Sequence, residues 1–514
     1  MDNSVQKRVF LEELLYYFMF SILLATKGIG LDEGSILFRS CLLGACFLFI
    51  IKIIIGKYSG RELIFIIIAL LYGVFSFINI GSFGLFVYIL MVFGMKNISV
   101  RKVMTIGAYV WGCCMFFTTT AAIFFDRTGV RMVHEKLGVG PVLRESLGYT
   151  HPNVLHISYI LFMVFVLYLC KKEKFIKTVI LLMLGNAYVF MYSLSYTGLM
   201  ISFVLILISA YFEYRVKQSK IENILIQLIL PICIFISVVL PIVLTDEMDI
   251  YHIINKIFNN RIWAIQVFFV NYDITLFGEK ILASNYSLDN SFVFSLAWHG
   301  VLFFLIMIIT YGMLIKYYLK TNRKKELAIV LTLLIAGLTE QFLFNASIKN
   351  ISVIFIGEAF YHYTNNKEKE IQLLKFKNMY FNFQLSPLKK ITYYLNRVKW
   401  KRLIVIGIAL YCVILCLSML IPTKSYETVY VHEKLCDCDG ELTDSVEENK
   451  DKSVLIIGNS TDINDRYYYF TKHNSKLLVV ADYRYRISLS FYITGSILML
   501  YIWGAFYVKN KRGL

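Results

Sequence analysis

The sequence predicts an all-α polytopic membrane protein of about 14 transmembrane helices, each a run of roughly 20 apolar residues. Three observations lead there. Hydrophobic residues make up 58% of the chain and charged residues only 17%, against roughly half and a quarter in soluble domains. The apolar stretches are long and continuous, unlike the short alternating strands of a membrane barrel. Basic residues gather on alternate connecting segments, as the preference of Lys and Arg for cytoplasmic loops requires.

The first stretch, 10–26, starts among Glu12 and Glu13. No small-residue cleavage site precedes the next span, so it reads as an uncleaved first helix. Spans 36–51, 62–79 and 83–95 follow, the last short enough to be re-entrant. Next come 103–125, then 155–170, which Pro152 is placed to start. Spans 178–194 and 197–213 are separated by a polar break with a glycine, Ser193-Leu194-Ser195-Tyr196-Thr197-Gly198, and 223–245 ends before a long polar loop. Span 290–309 opens on Asp289-Asn290-Ser291, 327–345 follows Arg323-Lys324-Lys325, and 350–364 is again short. The last two spans, 403–421 and 488–507, flank a polar segment.

A net charge of +17 suits nucleic acid in a soluble protein, but here its placement speaks for topology, and no nucleic-acid partner is expected. With the N-terminus inside, cytoplasmic segments hold 33 Lys and Arg and outer segments 18, nine of these in 423–487. A segment of that length follows charge rules poorly. Both termini are thus expected on the cytoplasmic side of the membrane that the chain would span.

Residues 1–364 read as one bundle, 365–401 as a basic cytoplasmic linker and 402–514 as a two-span module. Leu374-Lys375-Phe376-Lys377 in the linker fits an interfacial segment on anionic lipid or a solvated connection. In the outer segment 423–487, the alternation Glu427-Thr428-Val429-Tyr430-Val431 and the run Ser453-Val454-Leu455-Ile456-Ile457 predict a small strand-containing extracytoplasmic domain. Eight of the ten cysteines lie in or beside spans, where a thiol acts as a small hydrophobe. Cys436 and Cys438 read as unused thiols, a strained local disulfide or an intermolecular pair, and two ligands alone make no zinc site. No phosphate loop, dinucleotide glycine pattern or metal-spaced histidine pair occurs, so no cofactor or metal is expected.

The candidate chemistry lies in the two long outer loops of the bundle, 126–154 and 246–289. Arg127, Arg131 and Arg144 fall in the first and Arg261 in the second, and a guanidinium fork suits a diphosphate better than a lysine does. Such arginines also snorkel to lipid headgroups. Arg144 opens a polar run, and Arg261 precedes Trp263, an interfacial aromatic. His151 can accept a proton from a sugar hydroxyl or donate a hydrogen bond to phosphate. Asn153 can cap a helix or bind sugar hydroxyls. Arg39 and Glu340, ionisable residues in spans, are secondary candidates for a buried pair, and His299 reads as structural.

Together these segments resemble the bacterial O-antigen polymerase and ligase superfamily, and most closely the capsular or exopolysaccharide repeat-unit polymerases (Wzy type). The resemblance covers 1–364. Its strongest part is Arg144-x-x-Leu147-Gly148-Tyr149-x-His151-Pro152-Asn153, similar to the family's arginine-to-Gly-aromatic-x-x-Pro-Asn element. A second part is Ser193-x-Ser195-Tyr196-Thr197-Gly198, where Tyr196 replaces a frequent arginine; a third is Arg261-x-Trp263, then Leu276-Phe277-Gly278 and Asp289-Asn290-Ser291, with Asn260 standing for a frequent glycine.

What the resemblance implies is a 12-helix GT-C-like bundle acting as a metal-independent glycosyltransferase. It would join undecaprenyl-diphosphate-linked repeat units, donor and acceptor alike, on the outer face of the membrane. Arg144 and Arg261 would hold the leaving diphosphate, with His151 as base. Tyr149, Asn153, Ser193, Ser195, Tyr196, Trp263 and Asn290 would contact substrate. A flippase and a chain-length regulator are implied partners beside the bilayer. The alternatives are a ligase moving finished glycan to another acceptor, or a transporter of lipid-linked sugar. Transporters with repeated halves show midplane charges, whereas this chain gathers its polar residues at one face.

Overall fold

Long apolar runs fold as helices because a backbone in hydrocarbon must satisfy its own N–H and C=O groups. The computed structural model describes residues 6–31, 33–125, 131–136, 140–258, 260–280, 288–364, 370–372, 379–384, 398, 400–420, 429–431, 455–459, 466–470 and 476–511. The helices are α1 (Leu11–Gly28), α2 (Ile36–Ile55), α3 (Gly60–Ile80), α4 (Gly84–Phe93), α5 (Val100–Phe124), α6 (Pro152–Leu169), α7 (Phe175–Ser193) and α8 (Tyr196–Tyr214). They continue with α9 (Lys220–Ile234), which runs through a π-helical turn into α10 (Leu240–Val243), then α11 (Asp249–Ile257), α12 (Arg261–Asn271), α13 (Ser291–Thr321), α14 (Lys324–Ala336) and α15 (Val353–Thr364). The final two are α16 (Trp400–Met419) and α17 (Lys476–Lys511). Among the described residues ten helical segments are long and apolar enough to cross a membrane, which makes the chain a mostly helical, multi-pass membrane protein. Arg127, Cys436, Cys438 and Leu374-Lys375-Phe376-Lys377 lie outside the described residues.

Two helices depart from the spans read in the sequence. The helix expected over 327–345 ends at Ala336, and 337–352 is irregular. Polar side chains account for this, because the Asn350 amide donates to the Phe344 carbonyl at 2.9 Å and the Asn345 carbonyl at 3.1 Å, replacing helical bonds. The second departure is α13, which is kinked at Gly300, with φ 84° and ψ 173°. That region is essentially restricted to glycine. The kink exposes the backbone to segment 275–279, so that the Val301 N–H bonds the Thr275 carbonyl at 3.1 Å and the Leu302 N–H the Leu276 carbonyl at 3.1 Å. A Cβ on Gly300 would stand 2.2 Å from the Gly278 nitrogen. Gly300→Ala is therefore expected to destabilise by at least about 1–3 kcal/mol, read as a lower unfolding temperature of the detergent-solubilised protein; an unchanged melt would show that the kink yields.

At the end of the bundle where α3 begins, Ser59 and Glu62 form a capping box. Glu62 also accepts from the Lys96 ammonium, which lies over the rings of Tyr58 and Tyr361 at 4.9 and 5.8 Å. Lys96 reaches the half-exposed Glu370 at 3.3 Å, and the buried Lys52 donates to the Lys96 carbonyl at 3.2 Å. This ion cluster was not read from the sequence, because its members are far apart in the chain. Glu62→Gln is expected to cost toward the low end of the ~3–5 kcal/mol seen for broken buried pairs, since Glu370 remains. Denaturant unfolding checks this, and a loss no larger than that of a surface change would overturn it.

Among the described residues the strands form three small sheets. β1 (Gln6–Phe10) pairs with β6 (Tyr380–Gln384), and β2 (Lys57–Tyr58) with β5 (Ile371–Gln372). The third has the order β4-β3-β7-β9-β8, built from β3 (Arg131–Lys136), β4 (Gly140–Glu145), β7 (Val429–Val431), β8 (Leu455–Asn459) and β9 (Arg466–Phe470). Its register sets Met132 against both Arg144 and Tyr430, so the connection between α5 and α6 shares a sheet with the C-terminal segment. On the same side Arg484 of α17 donates to the Leu143 carbonyl at 2.7 Å, and the Tyr192 hydroxyl donates to the Arg484 carbonyl at 2.8 Å. The neighbour of Arg144 on β4 is thereby braced by the last helix.

Candidate functional site

The strand β4 delivers Arg144 to the start of a tight turn that ends at α6. Inside the turn the Ser146 hydroxyl donates to the Tyr149 carbonyl at 2.5 Å, and the Tyr149 N–H returns to the Ser146 carbonyl at 3.0 Å. The Tyr149 ring is buried and its hydroxyl donates to the Gly28 carbonyl at 2.9 Å, so it ties the turn to α1. His151 is the N-cap of α6, its Nδ1 accepting the Asn153 backbone N–H at 3.1 Å. A neutral ring that accepts at Nδ1 carries its proton at Nε2. In this state His151 is a donor at Nε2, the second of the two roles open to it in the sequence.

Arg144 itself is 4% exposed. Its Nε donates to the Ser193 carbonyl at 2.6 Å and its Nη2 to Asn153 Oδ1 at 2.5 Å. A guanidinium has five N–H donors, so the fork keeps donors beyond these two bonds. Burial pushes its pKa down to about 10, and the carboxylates of Glu340 and Asp289 oppose that fall.

The Ser193 carbonyl is available because α7 stops there and Leu194 adopts a left-handed conformation, φ 43°. For a bulky residue this is strained. Ser193 Oγ meets His156 Nδ1 at 3.0 Å, and His156 Nε2 meets Asn186 Oδ1 at 2.8 Å. Since the amide oxygen accepts, Nε2 donates and Nδ1 takes the serine proton. His156 packs where a Cβ on Gly198 would stand 2.4 Å from its ring, which is why the break needs a glycine. Sequence reasoning missed His156 and Asn186, although an imidazole inside an apolar span was the available signal. Ser195 caps α8 through the Gly198 N–H at 3.3 Å, and Thr197 donates to Glu340 Oε1 at 2.9 Å. Tyr196 lies against the Phe190 ring and presents exposed surface.

Arg261 begins α12 and pairs with Asp289 at 3.6 Å, while its Nη1 donates to the Phe258 carbonyl at 3.3 Å. Among the described residues its Nε is buried with no hydrogen-bond partner. Asn290 spends its amide within the protein: Oδ1 accepts the Phe292 and Val293 N–H groups, and Nδ2 donates to Ser237 Oγ and the Leu338 carbonyl. Ser291 Oγ donates to the Glu340 carbonyl. Asp289, Arg261 and Lys349 all act electrostatically on Glu340, and Asp289 and Glu340 on Arg144.

The structure thus joins Arg144 to Asn153 and Ser193, Arg261 to Asp289 and Thr197 to Glu340, and the charges of Asp289 and Glu340 act on Arg144. Asn290 and Tyr149 brace the backbone around them, and Trp263 is partly exposed on α12. Arg39 is exposed on α2, and among the described residues it forms no ion pair with Glu340. Nor do the described residues hold any group of three His, Cys, Asp or Glu able to bind a metal ion. Two guanidinium groups with donors to spare, beside two carboxylates and without a metal cluster among the described residues, are equipped to bind an oxyanion and to move a proton. No protein-family model, curated protein or solved structure matches the chain.

Proposed function

We propose that this protein polymerises polyprenyl-diphosphate-linked oligosaccharide repeat units at the outer face of a bacterial cytoplasmic membrane. The observation that supports the reading is that Arg261 pairs with Asp289 and keeps a buried Nε without an acceptor among the described residues, while the charges of Asp289 and Glu340 also act on the buried Arg144. A buried donor without a partner costs about 1–3 kcal/mol, which a bound phosphate oxygen would recover. The polyprenyl carrier and the glycan come from the family resemblance. In the same reading the chain crosses the membrane about 14 times, with both termini cytoplasmic.

When the anomeric C–O bond breaks, negative charge grows on the departing diphosphate, so donors already in place bind it more tightly in the transition state. Arg144 and Arg261 take that role, and His151, protonated at Nε2, adds a third donor. The proton of the acceptor hydroxyl passes to Glu340, whose Oε1 is oriented by Thr197 at 2.9 Å. This moves the role of base from His151 to Glu340, since His151 Nδ1 is committed to the cap.

The test is gel and mass analysis of lipid-linked glycans in cells lacking the protein. A single repeat unit accumulating on the carrier is expected. Long unligated chains would identify a ligase instead, and an unchanged profile would overturn both readings.

A further inference from the structure

At the N-terminal end of α6, Thr150 and Val154 contribute to the wall of a cavity of about 320 Å³. It is lined by Lys27, Trp298, His299, Gln341, Asn345 and Lys349. Neither Arg144 nor Arg261 lines it. The volume is in the range of small-molecule sites, about 300–1,000 Å³.

Three polar groups around this space lack partners among the described residues. Lys349 is 5% exposed, its ammonium lies over the Phe342 ring at 4.7 Å, and no carboxylate stands within ion-pair distance. The His299 Nδ1 and Asn345 Oδ1 are buried with no hydrogen-bond partner. Buried polar groups are nearly always satisfied, and a buried ammonium without a counter-ion is costlier still. Three exceptions from two parts of the chain, meeting at one cavity, mark a place that a ligand completes. Its sign follows from the charges. Lys27 is paired with Glu33 at 3.1 Å, so among the lining groups Lys349 is the one left to meet an anion; burial lowers its pKa to about 7, against the pull of Glu340 and Glu33, and a bound carboxylate would hold it charged.

The rest of the lining narrows the ligand class. Trp298, stacked on Phe294 at 5.5 Å, offers a flat aromatic wall. Gln341 and Asn345 supply amides suited to hydroxyl groups. The segment bearing Asn345 and Lys349 is held by the Asn350 bonds to the Phe344 and Asn345 carbonyls, so it is built before any ligand arrives. We propose that this cavity binds an acidic sugar residue, with its carboxylate on Lys349, its hydroxyls on His299, Asn345 and Gln341, and its ring against Trp298. The inference rests on the proposed glycan function and assigns that glycan an anionic unit.

The experiment is titration of the full-length protein in phosphatidylcholine nanodiscs with methyl β-glucuronide, methyl β-glucoside and inorganic phosphate, followed by tryptophan fluorescence, with Trp298→Phe to assign the signal. Saturable glucuronide binding is expected, with the glucoside about ten-fold weaker or worse, the scale of one charge-assisted hydrogen bond. Lys349→Met should abolish that preference. Asn345→Asp, which supplies an internal carboxylate with almost no change of shape, should do so even if Lys349→Met does not fold. Equal binding of the two glycosides, phosphate binding without glucuronide binding, or full glucuronide affinity in Asn345→Asp would overturn the proposal. Binding is measured without turnover, so an unchanged lipid-linked glycan profile in cells lacking the protein would sink the polymerase while Lys349-dependent binding still upheld the site.

Discussion

Arg144→Ala is expected to lower polymer formation about 10²–10³-fold, the loss seen when one preorganised oxyanion donor is removed, while the protein still inserts in the membrane. The side chain is buried and fixed by the Ser193 carbonyl and Asn153 Oδ1, so its remaining donors are aimed before substrate arrives. Arg144→Lys is expected to lose most of the activity as well, because a point charge cannot bridge Ser193 and Asn153 and still present a fork. Arg261→Ala should fall in the same range. The Arg144 guanidinium stays charged at neutral pH, since its lowered pKa of about 10 still lies above it. Arg144-dependent activity is therefore retained at neutral pH and lost only as pH rises through about 10. Wild-type polymer length in both alanine variants, at equal membrane content, would remove the arginines from the mechanism.

Glu340→Gln is expected to reduce polymer formation by about 10²–10⁴-fold, the contribution of a positioned general base. The substitution keeps the volume, and the bond from Ser291 goes to the Glu340 backbone carbonyl, so that contact survives. Thr197 still finds an amide oxygen. A structural role predicts a lower unfolding temperature with activity following protein content. A base predicts a normal melt and lost turnover. Asp289→Asn separates the two carboxylates: it releases Arg261 from its ion pair and should weaken donor binding more than it slows the chemical step. Full turnover in Glu340→Gln would return the base to His151, whose alanine variant would then be the inactive one.

Much of this site was legible in the sequence. Arg144, Asn153, Ser193 and Arg261 stood out because polar residues beside apolar spans are costly; hydrogen bonds join the first three, and Arg261 pairs with Asp289. Glu340 was a secondary candidate, and its partner is Thr197 rather than Arg39. His156 was missed although an imidazole inside an apolar span is itself a signal, because its bonds come from the next helix at Ser193 and Asn186. Tyr149 and Asn290 were legible as polar groups at turns, but their hydrogen bonds are consumed within the protein at Gly28, Ser237 and Leu338. The hairpin of β3 and β4 was read as a loop, since its partner β7 lies some 300 residues further along the chain.

Composition and hydropathy by themselves determined that this is a helical, multi-pass membrane protein, because hydrocarbon penalises every unpaired backbone group wherever it occurs in the sequence. Motif spacing determined which polar segments to suspect. Only the tertiary structure decided which of those side chains meet, that Glu340 joins them, that α14 gives way to the irregular segment 337–352, and that Lys349, His299 and Asn345 surround one cavity. The physical reason is that burial and hydrogen-bond satisfaction are set by partners distant in the chain, and a single sequence does not record those distances.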